Sequence, residues 1–157
     1  QSWDNLESSV RFLKSKVAKD FFSHEENPRL VVHARGGDFL LDDLSDQHQL
    51  SFYEYVIKSG RLSNYKHGLL CCSDVSYAQK IIKLFSNHGI HLYHEEKHDS
   101  NWNSDFKKLM NAEFIVGSRS TFAWWASALG EVQCFFPKDF TIGKLRKLYH
   151  PREIKCV

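Results

Sequence analysis

Short apolar runs alternate along this chain with segments of helical periodicity, and that alternation restricts the possible folds more than any other feature. Leu30-Val31-Val32 follows Pro28 and ends in the polar cluster His33-Ala34-Arg35-Gly36-Gly37-Asp38, as expected of a buried strand that delivers functional groups to a loop. Gly68 to Cys72, Ile90 to Tyr93, Phe114 to Val116 and Val132 to Phe136 repeat the apolar run. Between these runs, apolar residues recur at spacings of three and four. Phe52, Tyr55 and Val56 do so from Ser51 until Gly60, a natural C-cap, and Ala78, Ile81, Ile82 and Phe85 lie on one face of Val75 to Asn87. Asp105 to Met110 and Ser120 to Leu129 continue the series, the second ending at Gly130. A leading segment, Asp4 to Phe21, sets Leu6, Val10, Leu13, Val17 and Phe21 along one stripe of an amphipathic helix. Asp42, Asp43 and Asp46 read as a solvated connection.

Strands that alternate with helices predict parallel neighbours, because a parallel partner needs a crossover and successive crossovers cover both faces of the sheet. The expected fold is α/β, a Rossmann-like three-layer domain with a parallel sheet of about five strands. The length of 157 residues suits one domain over 1–157, with a leading helix within 1–27 and a carboxy-terminal tail over 137–157. With 42% hydrophobic and 25% charged residues the chain can fill a core, which excludes a disordered or collagen-like protein. A net charge of +2 supplies no long-range field for nucleic acid, so function must come from a local site. Cys71, Cys72, Cys134 and Cys156 form no CxxC or zinc spacing and read as reduced thiols of a cytosolic chain. No run approaches 18 apolar residues and no export leader is expected, while a first residue of Gln1 suggests a piece cut from something longer.

In such a sheet the ligand sits outside the carboxyl ends of the strands. His33 and Arg35, then Ser73 and Asp74, then Ser118, Arg119, Ser120 and Thr121 all follow strands and should face one crevice. The fork of donors on Arg35 suits a pair of phosphate oxygens, with Gly36 and Gly37 allowing close approach. The ordinary alternative is an ion pair with Asp38 that ties down the loop. Ser118 to Thr121 open a helix, where hydroxyls, free N–H groups and the positive end of the dipole attract an anion. Plain N-capping is the competing role there and at Asp74. Trp124 and Trp125 point about 100° apart, so one packs on the sheet and the other lines a neighbouring surface. His88, His91, His94 and His98 span a helix end and a strand without a fixed ligand set, so no metal site is expected. No GxSxG elbow supports a serine nucleophile.

Together, these residues resemble the alpha-1,2-fucosyltransferases of glycosyltransferase family 11 and, more distantly, other GDP-fucose-dependent enzymes. The family's HxRxGD appears as His33-Ala34-Arg35-Gly36-Gly37-Asp38, its Ser-Asp as Ser73-Asp74, and its third, highly specific motif as Ser118-Arg119-Ser120-Thr121-Phe122-Ala123-Trp124-Trp125-Ala126. Phe136-Pro137-Lys138 resembles the closing segment. The resemblance covers most of the chain. It implies that Arg35 holds the β-phosphate of GDP-fucose, that Ser120 and Thr121 cap the diphosphate, and that Phe122 lines the nucleotide pocket. Asp74 and His33 would contact guanine or ribose, and Gly37 and Ser118 belong to the same donor site. Many members carry a second arginine where this chain has Gly36, which would weaken donor binding or recruit charge from Arg119 or Lys138.

The implied activity is inverting, metal-independent transfer of fucose from GDP-fucose to a hydroxyl of an acceptor oligosaccharide or glycolipid. Arg35 would act as the catalytic cation on the leaving diphosphate, and its loss would cost about 3 kcal/mol or more of transition-state stabilisation. No cofactor and no metal are expected, in keeping with the lack of a DxD motif. Members are longer, with two Rossmann-like halves, so the chain is expected to be the carboxy-terminal half of a GT-B-like fold, inactive or poorly active without its amino-terminal half. Its expected partners are the donor, the acceptor and that half, not nucleic acid. Its expected place is the cytoplasm, or the inner face of the membrane in a bacterium. Two alternatives stand beside this reading: a non-catalytic nucleotide-binding or interaction module, and a transferase using another nucleotide sugar.

Overall fold

The computed structural model describes residues 6–16, 28–36, 43–95, 102–137 and 154–156. Five helices and six strands follow in the order α1 (Leu6–Lys16), β1 (Leu30–His33), α2 (Asp43–Lys58), β2 (His67–Cys71), α3 (Val75–Ser86), β3 (His91–His94), α4 (Trp102–Met110), β4 (Phe114–Val116), α5 (Thr121–Gly130), β5 (Gln133–Phe136) and β6 (Ile154–Cys156). The strands form one sheet in the order β3-β2-β1-β4-β5-β6, every neighbouring pair parallel. This is the doubly wound arrangement expected of a Rossmann-like domain. The sheet has one strand more than the expected number of about five, because Ile154–Cys156 of the tail pairs with β5 at the edge.

The strands read as unbroken apolar runs because both faces of the sheet are covered. Leu30 and Val32 of β1 join Phe114 and Val116 of β4 in a core closed by α2 and α3, through Tyr53, Val56, Ile81 and Phe85. Val31 and Ile115 point the other way, toward Val10 of α1, Leu109 of α4 and Trp124 of α5. Adjacent residues of one strand therefore serve different cores, as the period of two requires. Trp124 is buried, while Trp125 is partly buried and meets it edge-on at 5.1 Å. An ion pair from Lys14 to Glu131 adds to the contact of α1 with α5.

Several boundaries differ from the sequence expectation for identifiable reasons. Helix α2 begins at Asp43, eight residues before Ser51, so Asp43 and Asp46 belong to a helix rather than to a connection. Its first turns are polar and carry no apolar spacing to announce them, although acidic residues suit a helix start. Asp42 lies outside the described residues. Tyr55 is exposed, and the inward face is instead Phe52, Tyr53, Val56 and Ile57. Of the leading stripe, Val10 is buried but Leu13 is 39% exposed, while Val17 and Phe21 lie outside the described residues. Helix α4 starts at Trp102 rather than Asp105, and β2 and β3 shift by one residue. Among the described residues, no helix is long and apolar enough to cross a membrane.

Two glycines end helices differently. Gly60 takes the expected left-handed conformation after α2, at φ 74°. At the end of α5 it is Glu131, at φ 55°, that does so, and Gly130 serves another purpose. A Cβ on Gly130 would lie 2.0 Å from the carbonyl oxygen of Met110, so glycine lets α5 touch the end of α4. Gly130→Ala should cost about 2–4 kcal/mol in urea unfolding, the scale of a backbone clash in a packed core. Gly60→Ala, with nothing near its added methyl group, should cost only about 1 kcal/mol.

Candidate functional site

Strand order reverses between β1 and β4, since the chain builds outward from β1 to β2 and β3 on one side and from β4 to β5 and β6 on the other. Connections at the carboxyl ends of β1 and β4 thus diverge and leave a crevice. A cleft of about 300 Å³ lies there, at the lower end of ligand-pocket volumes. The end of β1 contributes His33 and Arg35, the end of β2 contributes Cys72 and Ser73, α4 contributes Asp105, and the start of α5 contributes Ser120, Thr121 and Phe122.

The two strand ends are tied directly to each other across the reversal. His33 Nδ1 lies 2.9 Å from Oγ of the buried Ser118, two residues past β4. Tyr53 of α2 donates its hydroxyl to the His33 carbonyl at 2.9 Å, and Ala34 N–H donates to the Cys71 carbonyl at 2.9 Å. Beyond that last ladder bond, Arg35 is held by a side chain of α2. Its N–H donates to Gln49 Oε1 at 3.4 Å, and Gln49 Nε2 donates to the Arg35 carbonyl at 3.1 Å. The Arg35 side chain itself stands at the exposed mouth of the cleft.

Helix α5 starts with Ser120 as its N-cap, in extended conformation, its hydroxyl accepting from Ala123 N–H at 3.4 Å. The capping role is therefore real, and it coexists with a place in the cleft wall. No acidic side chain sits in the first turn of α5 to offset the positive end of its dipole. Phe122 packs edge-on against Phe106 at 5.1 Å and tilts over His33 at 6.0 Å, which forms the apolar side of the cleft.

Asp74 takes its capping role. Its Oδ1 accepts from Tyr77 N–H at 3.0 Å and from the Ser76 hydroxyl at 2.7 Å, which fixes the start of α3. A Cβ built on Gly36 would lie 2.3 Å from Asp74 Cβ, so this glycine is required by close approach to the α3 cap. A second arginine at position 36 would have to displace that cap. Of the residues singled out from sequence, His33, Arg35, Ser120, Thr121 and Phe122 line one cleft, whereas Asp74 and Ser118 stand behind its wall. Gly37 and Asp38 lie outside the described residues. Sequence reasoning missed Asp105, which only the packing of α4 against α5 brings to the cleft. It also missed Gln49, whose helix turn carried no periodic signal.

Burial decides the charge state of several groups. It pushes the His33 imidazole down to about 4, against a smaller opposing pull from the Asp105 carboxylate and with a further lowering by Arg35. The ring is neutral at pH 7. Burial also pushes the Cys72 thiol up to about 11, so it is not a thiolate nucleophile, and holds the Tyr53 phenol protonated for its bond to His33. Among the described residues, the acidic and basic side chains lining the cleft beside His33 are Asp105 and Arg35.

A smaller cavity of about 100 Å³ adjoins the cleft above β2 and β3. Lys108 and Glu95 pair at 2.6 Å on its wall, and His94 Nε2 lies 2.8 Å from the Cys72 carbonyl. His91 stacks instead on His67 at 5.7 Å, at the amino end of β2. Among the described residues no group of three His, Cys, Asp or Glu side chains is placed to hold a metal ion, and His98 lies outside them. No protein-family model matches this sequence, and no curated protein matches it.

Neutral, half-buried His33 makes stability depend on pH. The unfolded chain takes up a proton near pH 6.5 and the folded one resists it until about 4, so acid favours unfolding across that window and the stability is complete above it. Urea unfolding of the wild-type chain should lose on the order of 2 kcal/mol between pH 7 and pH 4 from this group. The variant His33→Gln should show a correspondingly smaller loss over the same range.

Proposed function

We propose that this chain is the donor-binding domain of an inverting, metal-independent fucosyltransferase that takes fucose from GDP-fucose to a hydroxyl of an acceptor oligosaccharide or glycolipid. The observation that carries the reading is the convergence of Arg35 and the amino end of α5 on one cleft at the strand-order reversal. A guanidinium fork and a helix dipole with no acidic residue in its first turn suit the two phosphates of a nucleoside diphosphate. Phe122 and neutral His33 offer an adjoining face for the less polar part of the donor.

In the reaction, the acceptor oxygen bonds to the anomeric carbon while the bond from that carbon to the β-phosphate oxygen breaks. The electron pair leaves with GDP, and the acceptor proton passes to a base. Negative charge therefore grows on the diphosphate, which in this reading lies between Arg35 and the first N–H groups of α5. A preorganised cation of this kind stabilises the transition state more than the ground state. The proposed place of the protein is the cytoplasm or the cytoplasmic face of a membrane.

One observation favours a second reading. With Gly36 pressed against Asp74, a single arginine carries the charge that two share in the family the sequence resembles. That suits a module that binds a nucleotide without turning it over.

Calorimetric titration of the 157-residue chain with GDP, GDP-fucose and UDP, without magnesium, tests the donor site. GDP and GDP-fucose should bind and UDP should not, and Arg35→Ala should weaken GDP binding by at least about tenfold, the loss of a charge-assisted bidentate contact. A folded chain that binds none of them, or binds GDP and UDP alike, overturns the reading. Release of GDP from GDP-fucose on addition of acceptor glycan separates a transferase from a binding module.

A further inference from the structure

Arg35 reaches the cleft from a stretch of backbone that the sheet no longer supports. The ladder between β1 and β2 ends with Ala34 N–H on the Cys71 carbonyl, and Gly36 follows immediately. The amide of Gln49 takes the place of the missing strand. One planar group receives the Arg35 N–H on Oε1 and gives Nε2–H to the Arg35 carbonyl, the two-bond pattern of a paired residue in a sheet.

The orientation of that amide is determined by the Arg35 backbone itself. Nε2 also donates to the Tyr77 hydroxyl at 2.8 Å, while Oε1 lies 3.3 Å from the Tyr53 oxygen, whose one proton goes to the His33 carbonyl. Turning the amide over would face oxygen against the Arg35 carbonyl and NH2 against the Arg35 N–H. Gln49 is 5% exposed, so these bonds form away from solvent competition. Tyr53 binds the His33 carbonyl, so the backbones of His33 and Arg35 are both braced from the side of the sheet opposite α5.

We infer that Gln49 is a positioning residue that acts through Arg35: by clamping both backbone groups of Arg35 it fixes the direction in which the guanidinium enters the cleft and so sets the affinity for a diphosphate. The inference rests on the diphosphate reading of that cleft. Without the clamp, the Arg35 backbone, followed by glycine, would sample many directions and carry the side chain with it, and binding would have to order it.

A double-mutant cycle with GDP as the probe tests this, using Gln49→Met, Arg35→Ala and the pair, each confirmed folded by circular dichroism. Gln49→Met removes the amide's three bonds, to Arg35 N–H, the Arg35 carbonyl and Tyr77, at similar volume. It should weaken GDP binding by about tenfold or more, and adding Arg35→Ala should then weaken it by less than about threefold, because the two residues act as one unit. A purely structural role would lower the urea midpoint and leave GDP affinity unchanged, and independent roles would make the two losses multiply. Either result overturns the inference. Should Gln49→Met not fold, Gln49→Glu replaces it, keeping an acceptor for the Arg35 N–H and losing the donors to the Arg35 carbonyl and Tyr77. If neither folds, Gln49 serves the fold and the inference falls. A wild-type chain that binds GDP through Arg35 while the Gln49 variants bind equally well removes only the role of Gln49. A folded wild-type chain that does not bind GDP removes the diphosphate reading and this role together.

Discussion

A sheet buried on both faces must satisfy its own backbone polar groups, and the rest of this structure depends on how it does so. Within β1, β2 and β4 the parallel ladders take care of the N–H and carbonyl groups, leaving the side chains free to be apolar in both directions. Where the ladders stop, at the carboxyl ends, the backbone needs other partners. Gln49, Tyr53 and Ser118 supply polar contacts there, on Arg35, on the His33 carbonyl and on the His33 ring. The cleft wall is thus a by-product of closing the sheet. The groups that satisfy the strand ends also set the positions of the residues that face a ligand.

The charges follow from the same geometry. His33 is neutral because it is enclosed between Phe122 and the strand ends, and Cys72 stays a thiol for a similar reason. Arg35 is exposed, and both of its backbone groups are tied down by Gln49. The amino end of α5 adds a fixed positive potential that needs no side chain. Gly36, pressed against the cap of α3, sets a limit on this arrangement, since a second cation cannot enter the loop at that position without moving Asp74. Among the described residues, the groups in the cleft that suit an anion are one guanidinium and one helix end, with Asp105 also in the wall.

Much of the fold was legible in the sequence, and the reasons are local. Apolar runs such as Leu30 to Val32 and Phe114 to Val116 announce strands covered on both faces, and the spacing in Val75 to Ser86 announces a helix covered on one. Signals failed where the pattern was polar. The start of α2 was hidden because the sequence of its first turns is largely polar and shows no apolar period, and Gln49 sits in that stretch. Ile154–Cys156 gave too short a run to be distinguished from a tail. Tyr55 and Tyr53 differ by two positions on one helix, and only the packed sheet decides which of them turns inward.

By itself the sequence determined the alternation of elements and hence the parallel α/β class, because burial periodicity is a property of neighbouring residues. It also determined that His33, Arg35, Ser120 and Thr121 would end or begin elements on one side of the sheet, since motif and element boundary coincide in the chain. Tertiary structure alone decided that β1 and β4 are neighbours, that Asp105 from α4 enters the cleft, and that Asp74 and Ser118 stand behind it. It alone decided that Gln49, fourteen residues away, would hold the backbone of Arg35. Contacts of this kind depend on which helix covers which face, and that choice is made by the packing of the whole domain rather than by any segment of it.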